Sequence, residues 1–157
     1  VLIVCGKDDP DEIDLAFNRI LYALNAKNGN EMWKVPVKLG LMQVTPSIVD
    51  GLLVFQTISG EVACHAMKDG SLKWMSKPAG QVSTGGAVIC KDTGLVYSTA
   101  NGRGKKEHNK PRGGKGIMRA FNLKTGELAH QYEAEHELNA LPLVAPVGPS
   151  KKFLTIF

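Results

Sequence analysis

The sequence predicts an all-β fold built from a repeated strand–turn–strand unit, and three observations support that prediction. Short apolar runs alternate with glycine-containing turn signals at regular intervals. The hairpin pattern of residues 20–37 recurs twice, and each copy has a Lys two residues before its turn glycine. The turn glycines Gly29, Gly70 and Gly126 are 41 and 56 residues apart. A period of that size, with strands inside it, indicates a β-propeller or another repeat array.

The elements follow one another in a regular order. The apolar run Val1–Cys5 predicts a buried strand, and the Asn28-Gly29 pair of the first hairpin predicts a type I′ turn. Two four-stranded meanders follow, each the size of one propeller blade, and two more strands end the chain. About twelve short strands result, with no helix beyond a turn or two. The predicted units are a half blade at 1–37, full blades at 43–76 and 82–132, and a half blade at 139–157.

The strand count predicts a segment of a larger assembly. Propellers have about four to eight blades, whereas these units amount to at most about three. Three blades would leave long exposed edge strands. The first residue is Val and no signal-peptide pattern precedes the first strand, which indicates a mature product or a piece of a longer chain. We therefore expect a window onto a larger propeller, or one completed by partner strands.

The three hairpins resemble the tryptophan-docking motif of the quinoprotein-type (PQQ-like) β-propeller repeats. That motif has Ala at its first position, Gly at its seventh and Trp at its eleventh. The resemblance implies that each Trp is buried in the seam between neighbouring blades, beside a small residue, and that the seam of the third copy, which has His, is packed differently. The matching structural docking positions are Ala23, Gly29 and Trp33; Cys64, Gly70 and Trp74; and Ala120, Gly126 and His130.

The resembled family contains both enzymes and scaffolds. Its dehydrogenases use pyrroloquinoline quinone and calcium, and commonly have an adjacent cysteine pair and an Asp base. Here Cys5, Cys64 and Cys90 are far apart, no haem motif is present, and the acidic clusters fall in predicted surface loops. We therefore assign no catalytic, cofactor-binding or metal-binding residue from the sequence.

The leading interpretation is a non-catalytic protein-interaction scaffold, a subunit of a larger complex. It is similar in character to the propeller lipoprotein of the outer-membrane β-barrel assembly machinery. A fragment of a PQQ-dependent dehydrogenase is the alternative from another class. The compartment stays open, because only the resemblance points to the periplasm or an organelle lumen.

A basic loop at 101–116 predicts a second kind of function. The chain has a net charge of +4, but this loop alone carries +5 and the rest carries −1. Clustered cations suit an acidic protein or membrane surface, whereas the absence of aromatic residues disfavours nucleic acid. An anion-binding module is therefore a further alternative, and a passive mobile insertion is another. The predicted contacts are Arg103, Lys105, Lys106, Lys110, Arg112 and Lys115.

Overall fold

The computed structural model describes residues 1–6, 18–41, 45–79, 85–102, 115–147 and 152–156. These residues form thirteen β-strands, and no helix occurs among them. The predicted all-β fold is therefore confirmed. Within the same ranges, no helix is long and apolar enough to cross a membrane.

The strands form four antiparallel sheets, in which neighbours along the chain pair with one another. The first sheet contains β1 (Leu2–Gly6), β2 (Asn18–Leu24) and β3 (Glu31–Leu41). The second contains β4 (Ser47–Val49), β5 (Leu52–Gln56), β6 (Val62–Ala66) and β7 (Leu72–Met75). The third contains β8 (Ala87–Cys90), β9 (Leu95–Asn101), β10 (Gly116–Asn122) and β11 (Leu128–Glu133). The fourth contains β12 (Leu143–Val147) and β13 (Lys152–Ile156).

The central strands of the second sheet, β5 and β6, are buried on both faces, because they lie between the first and third sheets. Leu53 and Phe55 of β5 pack toward the first sheet, whereas Val54 between them packs toward the third. This alternation explains why β5 and β6 are nearly continuous apolar runs rather than half-polar strands. The division of the chain into half and full blades stays a prediction, since the structure describes sheets and not the propeller that they would complete.

Three docking turns, at residues 25–30, 66–71 and 122–127, share one geometry. In the first, the Asn25 N–H donates to the Asn30 carbonyl and the Gly29 N–H donates to the Asn25 carbonyl, both at 2.8 Å. The same two bonds recur in the other turns. Gly29 has φ 76° but Asn28 does not have a positive φ, so the predicted type I′ turn is wrong there. The loop is longer than two residues and ends in a left-handed glycine and a bulge.

The base of the predicted basic loop continues the β9–β10 ladder. Asn101 pairs with Gly116, and the Gly102 N–H donates to the Lys115 carbonyl at 2.9 Å. Residues 103–114 lie outside the described ranges. Five of the six cations predicted to bind a partner therefore lie there, and only Lys115 can be placed.

Candidate binding sites in the seams between sheets

The first seam is the interface between the β1–β3 sheet and the β4–β7 sheet, and Trp33 packs across it. The Trp33 indole lies against the second docking turn, so closely that a Cβ on Gly70 would be 2.7 Å from Trp33 Cε3. Its Nε1 donates to the Met67 carbonyl at 2.9 Å. The side chain is 9% exposed, so its apolar ring is buried and its single donor has a partner.

The second seam, between the β4–β7 and β8–β11 sheets, repeats this arrangement one unit later. The Trp74 indole lies against the third docking turn, where a Cβ on Gly126 would be 2.6 Å from Trp74 Cδ2. Its Nε1 donates to the Leu123 carbonyl at 2.8 Å. Trp74 is also 9% exposed, so the burial predicted for both indoles is confirmed.

Inside each sheet, the Trp faces a small residue on the neighbouring strand. Trp33 is paired with Ala23, and Trp74 is paired with Cys64. The Cys64 side chain is fully buried, and this burial raises the pKa of its thiol to about 11, although Lys73 acts in the opposite direction. The thiol therefore stays protonated at neutral pH and packs as a small apolar group.

The two ends of the repeat lack this contact within the described ranges. His130 is paired with Ala120 as the motif requires, but its side chain is exposed. At the other end, a Cβ on Gly29 would meet no atom within 4 Å among the described residues. Among the residues that the structure describes, the third-copy His and the first-copy Gly are therefore the two ends of the docked series.

A cavity of about 340 Å³ opens beside the first indole. Its walls are mostly apolar, and Val35, Phe55 and Ala63 contribute to them. His65 is the titratable group that lines it. Its Nδ1 lies 2.8 Å from the Gly70 carbonyl, which only accepts, so Nδ1 carries the proton and donates. Burial lowers the pKa of His65, the Gly70 carbonyl opposes this, and the ring stacks on Phe55 at 5.3 Å between centroids.

The second seam contains a cavity of about 510 Å³ at the equivalent place. Adding the 56-residue spacing of the docking glycines to wall positions of the first cavity gives wall positions of the second. By that correspondence, Arg119 replaces Ala63, Phe121 replaces His65 and Gln131 replaces Met75. The two cavities thus share their place in the fold and differ in their chemistry. The walls of the second are Met75, Ser76, Lys77, Arg119, Phe121, Gly126, Leu128 and Gln131.

Arg119 ties the third sheet to the second. Its terminal nitrogens donate to the Lys77 carbonyl, at 2.9 Å, and to the Gly60 carbonyl. The guanidinium carbon lies 5.1 Å from the centroid of the Phe121 ring, a cation–π geometry. Burial lowers the pKa of the guanidinium and Glu61 opposes this, yet an arginine stays charged in a protein. The structure therefore buries a permanent positive charge beside the cavity.

The sequence did not predict Arg119 as a site residue. Its carbonyl partners are 42 and 59 residues away in the sequence, so no local sequence pattern predicts these hydrogen bonds. The one available signal was the repeat itself, because Arg119 stands where the second copy has Ala63.

Of the six cations predicted to bind a partner, Lys115 lies within the described ranges, where it forms a weak ion pair. Lys115 Nζ lies 3.8 Å from Glu133 Oε2, and both side chains are exposed, so the pair contributes little stability. Across the described ranges, no three His, Cys, Asp or Glu side chains are grouped as a metal site. All three cysteines are free, with Cys64 buried and the other two half-buried.

Comparison with known proteins gives matches of two kinds. A family model described as outer membrane protein assembly factor BamB matches residues 17–152. A comparison with curated proteins found no match. Solved structures also match, and three examples follow.

A europium-containing methanol dehydrogenase is 15% identical, with a TM-score of 0.59 over 74% of this chain and 22% of that chain. BamB from Moraxella catarrhalis is 16% identical, with a TM-score of 0.56 over 91% of this chain and 42% of that one. A quinohemoprotein alcohol dehydrogenase from Comamonas testosteroni is 16% identical, with a TM-score of 0.58 over 87% and 20%. These identities show the fold alone, that of a β-propeller segment, and the chain spans less than half the length of each structure.

Proposed function

The chain belongs to the PQQ-like β-propeller family whose model is described as outer membrane protein assembly factor BamB, and from that premise we propose that it is a non-catalytic protein-interaction scaffold, one subunit of a larger complex. The same fold is found in dehydrogenases, so the family does not decide the function. The observation that carries the proposal is the apolar surface on the last strand of each of the first three sheets.

Those last strands, β3, β7 and β11, are edges of their sheets. They carry large hydrophobic side chains that are about half exposed, namely Met32, Leu72, Met75, Leu128 and Tyr132. An exposed edge strand with apolar side chains is a template on which another protein can pair or pack. In β11 every residue is exposed, so a partner strand added to β11 would cover the largest continuous part of this surface.

Two substitutions on β11 test the proposal in the full-length protein. Leu128→Ser with Tyr132→Ser removes apolar surface without touching a buried residue. We expect the natural protein, purified from its own cell, to retain a stoichiometric protein partner through gel filtration, and the double variant to lose it while still unfolding in one cooperative transition. Lys124→Ser on the adjacent docking turn is the matched control and should keep the partner. A natural protein that elutes without any partner would contradict the proposal.

The dehydrogenase alternative has its own discriminating measurement. Pyrroloquinoline quinone and calcium are added to the full-length protein, and the quinone absorbance and dye reduction with simple alcohols and sugars are recorded. The scaffold proposal expects neither a bound-quinone spectrum nor turnover. Quinone-dependent dye reduction that is lost on mutating a pocket carboxylate would establish the enzyme instead.

We also propose that the basic loop at 101–116 binds a partner through its charge. Its cations Arg103, Lys105, Lys106, Lys110, Arg112 and Lys115 would dock on an acidic protein or membrane surface. Binding of this kind falls as salt rises, because exposed charges are screened. Replacing residues 103–114 by a tight Asn-Gly turn would continue the β9–β10 ladder that already reaches the base of the loop. Unchanged partner association in that variant would make the loop a passive insertion.

A further inference from the structure

Arg119 carries a buried charge that the described residues do not compensate by contact. The side chain is 6% exposed, and both of its hydrogen-bond acceptors are neutral carbonyl oxygens. No acceptor lies within hydrogen-bond distance of its buried Nε in the part of the chain that the structure describes. A buried charge is costly unless it is paired with an opposite charge. The surroundings of Arg119 therefore favour an anion.

Glu61 is the internal candidate for that anion, and it does not fill the role by contact. It influences Arg119 electrostatically, but no ion pair within 4.0 Å joins the two among the described residues. Its Oε2 instead accepts a hydrogen bond from the Thr57 hydroxyl. The guanidinium, with five N–H donors in a planar fork, still has donors for a carboxylate.

The cavity next to Arg119 has the composition of a small-molecule site. Met75, Phe121 and Leu128 give it apolar walls, and Ser76 and Gln131 add neutral polar groups. Its volume of about 510 Å³ lies within the range of ligand pockets, which are mostly apolar with a few polar groups that fix orientation. The cation thus stands at the wall of a space large enough for an organic molecule.

We propose that the cavity of the second seam binds a small organic acid with an aromatic body, whose carboxylate pairs with Arg119 while its ring packs on Phe121 and Leu128. This ligand site is separate from the proposed scaffold function and does not depend on it. The first seam lacks the cation, because Ala63 stands at the position of Arg119. The equivalent cavity there should not select for a carboxylate, so the specificity belongs to the second seam alone.

The test compares an acid with its neutral amide. Isothermal titration calorimetry is run on the full-length protein with 3-phenylpropanoate and with 3-phenylpropanamide, which share the ring and differ in charge. We expect saturable binding of the acid and none of the amide. Arg119→Met should weaken binding of the acid by roughly tenfold or more, the size of a lost charge-assisted hydrogen-bonded pair.

Two exposed lysines, one on β7 and one two residues after that strand, supply matched controls. Lys73→Met removes a charge of the same sign from β7 outside the cavity walls, and should leave the affinity unchanged. Lys77→Met removes the other cation of the walls and should change the affinity less than Arg119→Met. Equal affinities for acid and amide would overturn the proposal. So would an absence of binding, or a loss with Lys77→Met that exceeds the loss with Arg119→Met.

A second readout covers the case in which Arg119→Met does not fold. In the unmodified protein the acid should raise the melting temperature and the amide should not, because only the acid pairs with the folded-state cation. Arg119→Lys keeps the charge but loses the planar fork, and should bind the acid more weakly than the unmodified protein. A melting temperature that responds equally to both compounds would contradict the site without any variant.

Discussion

The two seams use the same docking contact but have different cavities beside it. In each, the indole of one sheet lies on the glycine of the next docking turn and donates to a carbonyl of the residue three positions before that glycine. Beside this contact, the first cavity is lined by Ala63 and His65, and the second by Arg119 and Phe121. Packing therefore constrains the motif positions closely, whereas their neighbours on the same strand are free to differ.

The difference shows where specificity can arise in a repeat protein. A Cβ at the docking glycine would overlap the indole, so this position tolerates little variation. The side chains on either side of the motif's small first residue face a cavity instead, and a cavity accepts residues of different size and charge. Repeats of one fold can thus acquire separate binding chemistry without loss of the contact that holds the sheets together.

The largest expected effect comes from removing the indoles. Trp33→Ala and Trp74→Ala should each lower the free energy of unfolding by about 3–5 kcal/mol, the range for emptying a buried aromatic site. Because the two contacts are equivalent, the two losses should be similar. Denaturant unfolding measures both, with His130→Ala, an exposed third-copy position, expected to stay within about 0.5 kcal/mol. A large inequality between the two Trp variants would mean that the seams are not equivalent.

The three docking glycines separate backbone strain from the indole contact. Gly29, Gly70 and Gly126 all have a positive φ, so an Ala at any of them is strained by about 1–2 kcal/mol. Only at Gly70 and Gly126 would the new Cβ also overlap an indole, which adds about 1–3 kcal/mol of overpacking. We expect Gly29→Ala to be the mildest of the three in denaturant unfolding. Equal losses of stability at all three positions would mean that glycine is required there for turn geometry alone.

The smallest effect is a pH dependence specific to the first seam. Burial lowers the pKa of His65 below its ordinary value of 6.5. Below that pH the unfolded chain binds a proton that the folded chain excludes, so stability should decline as pH falls below about 6.5. His65→Phe, which copies the residue of the second seam, should flatten this decline and leave stability near pH 8 little changed. The urea midpoint is followed against pH.

The control for this titration changes the same cavity but keeps the imidazole. Leu72→Ala replaces another wall residue of the first cavity and should leave the slope of stability against pH as it was. If His65→Phe leaves the slope unchanged as well, His65 titrates in the folded chain as it does in the unfolded chain.

The sequence was sufficient for the fold because its information was local and repeated. Ala23, Gly29 and Trp33 lie within eleven residues, so one hairpin carries the whole docking motif, and the family resemblance of that motif implies the burial of its indole. The type of turn was harder to predict, since Asn-Gly occurs both in two-residue hairpins and in longer loops that end in a left-handed glycine. The cavities could not be predicted from the sequence, because their walls come from residues on two sheets that are far apart in sequence.

The docking contact gives the repeat a polarity. The indoles of the first two units, Trp33 and Trp74, each lie on the turn glycine of the unit that follows in the chain, so each contact runs in the same direction along the sequence. An in-frame duplication of one whole unit would therefore create a copy that fits both of its new neighbours at once. A unit inserted without its own Trp, or without its own turn glycine, would interrupt the series on one side only. The chain can thus lengthen by whole units while the docking contact is kept on both sides of the added unit.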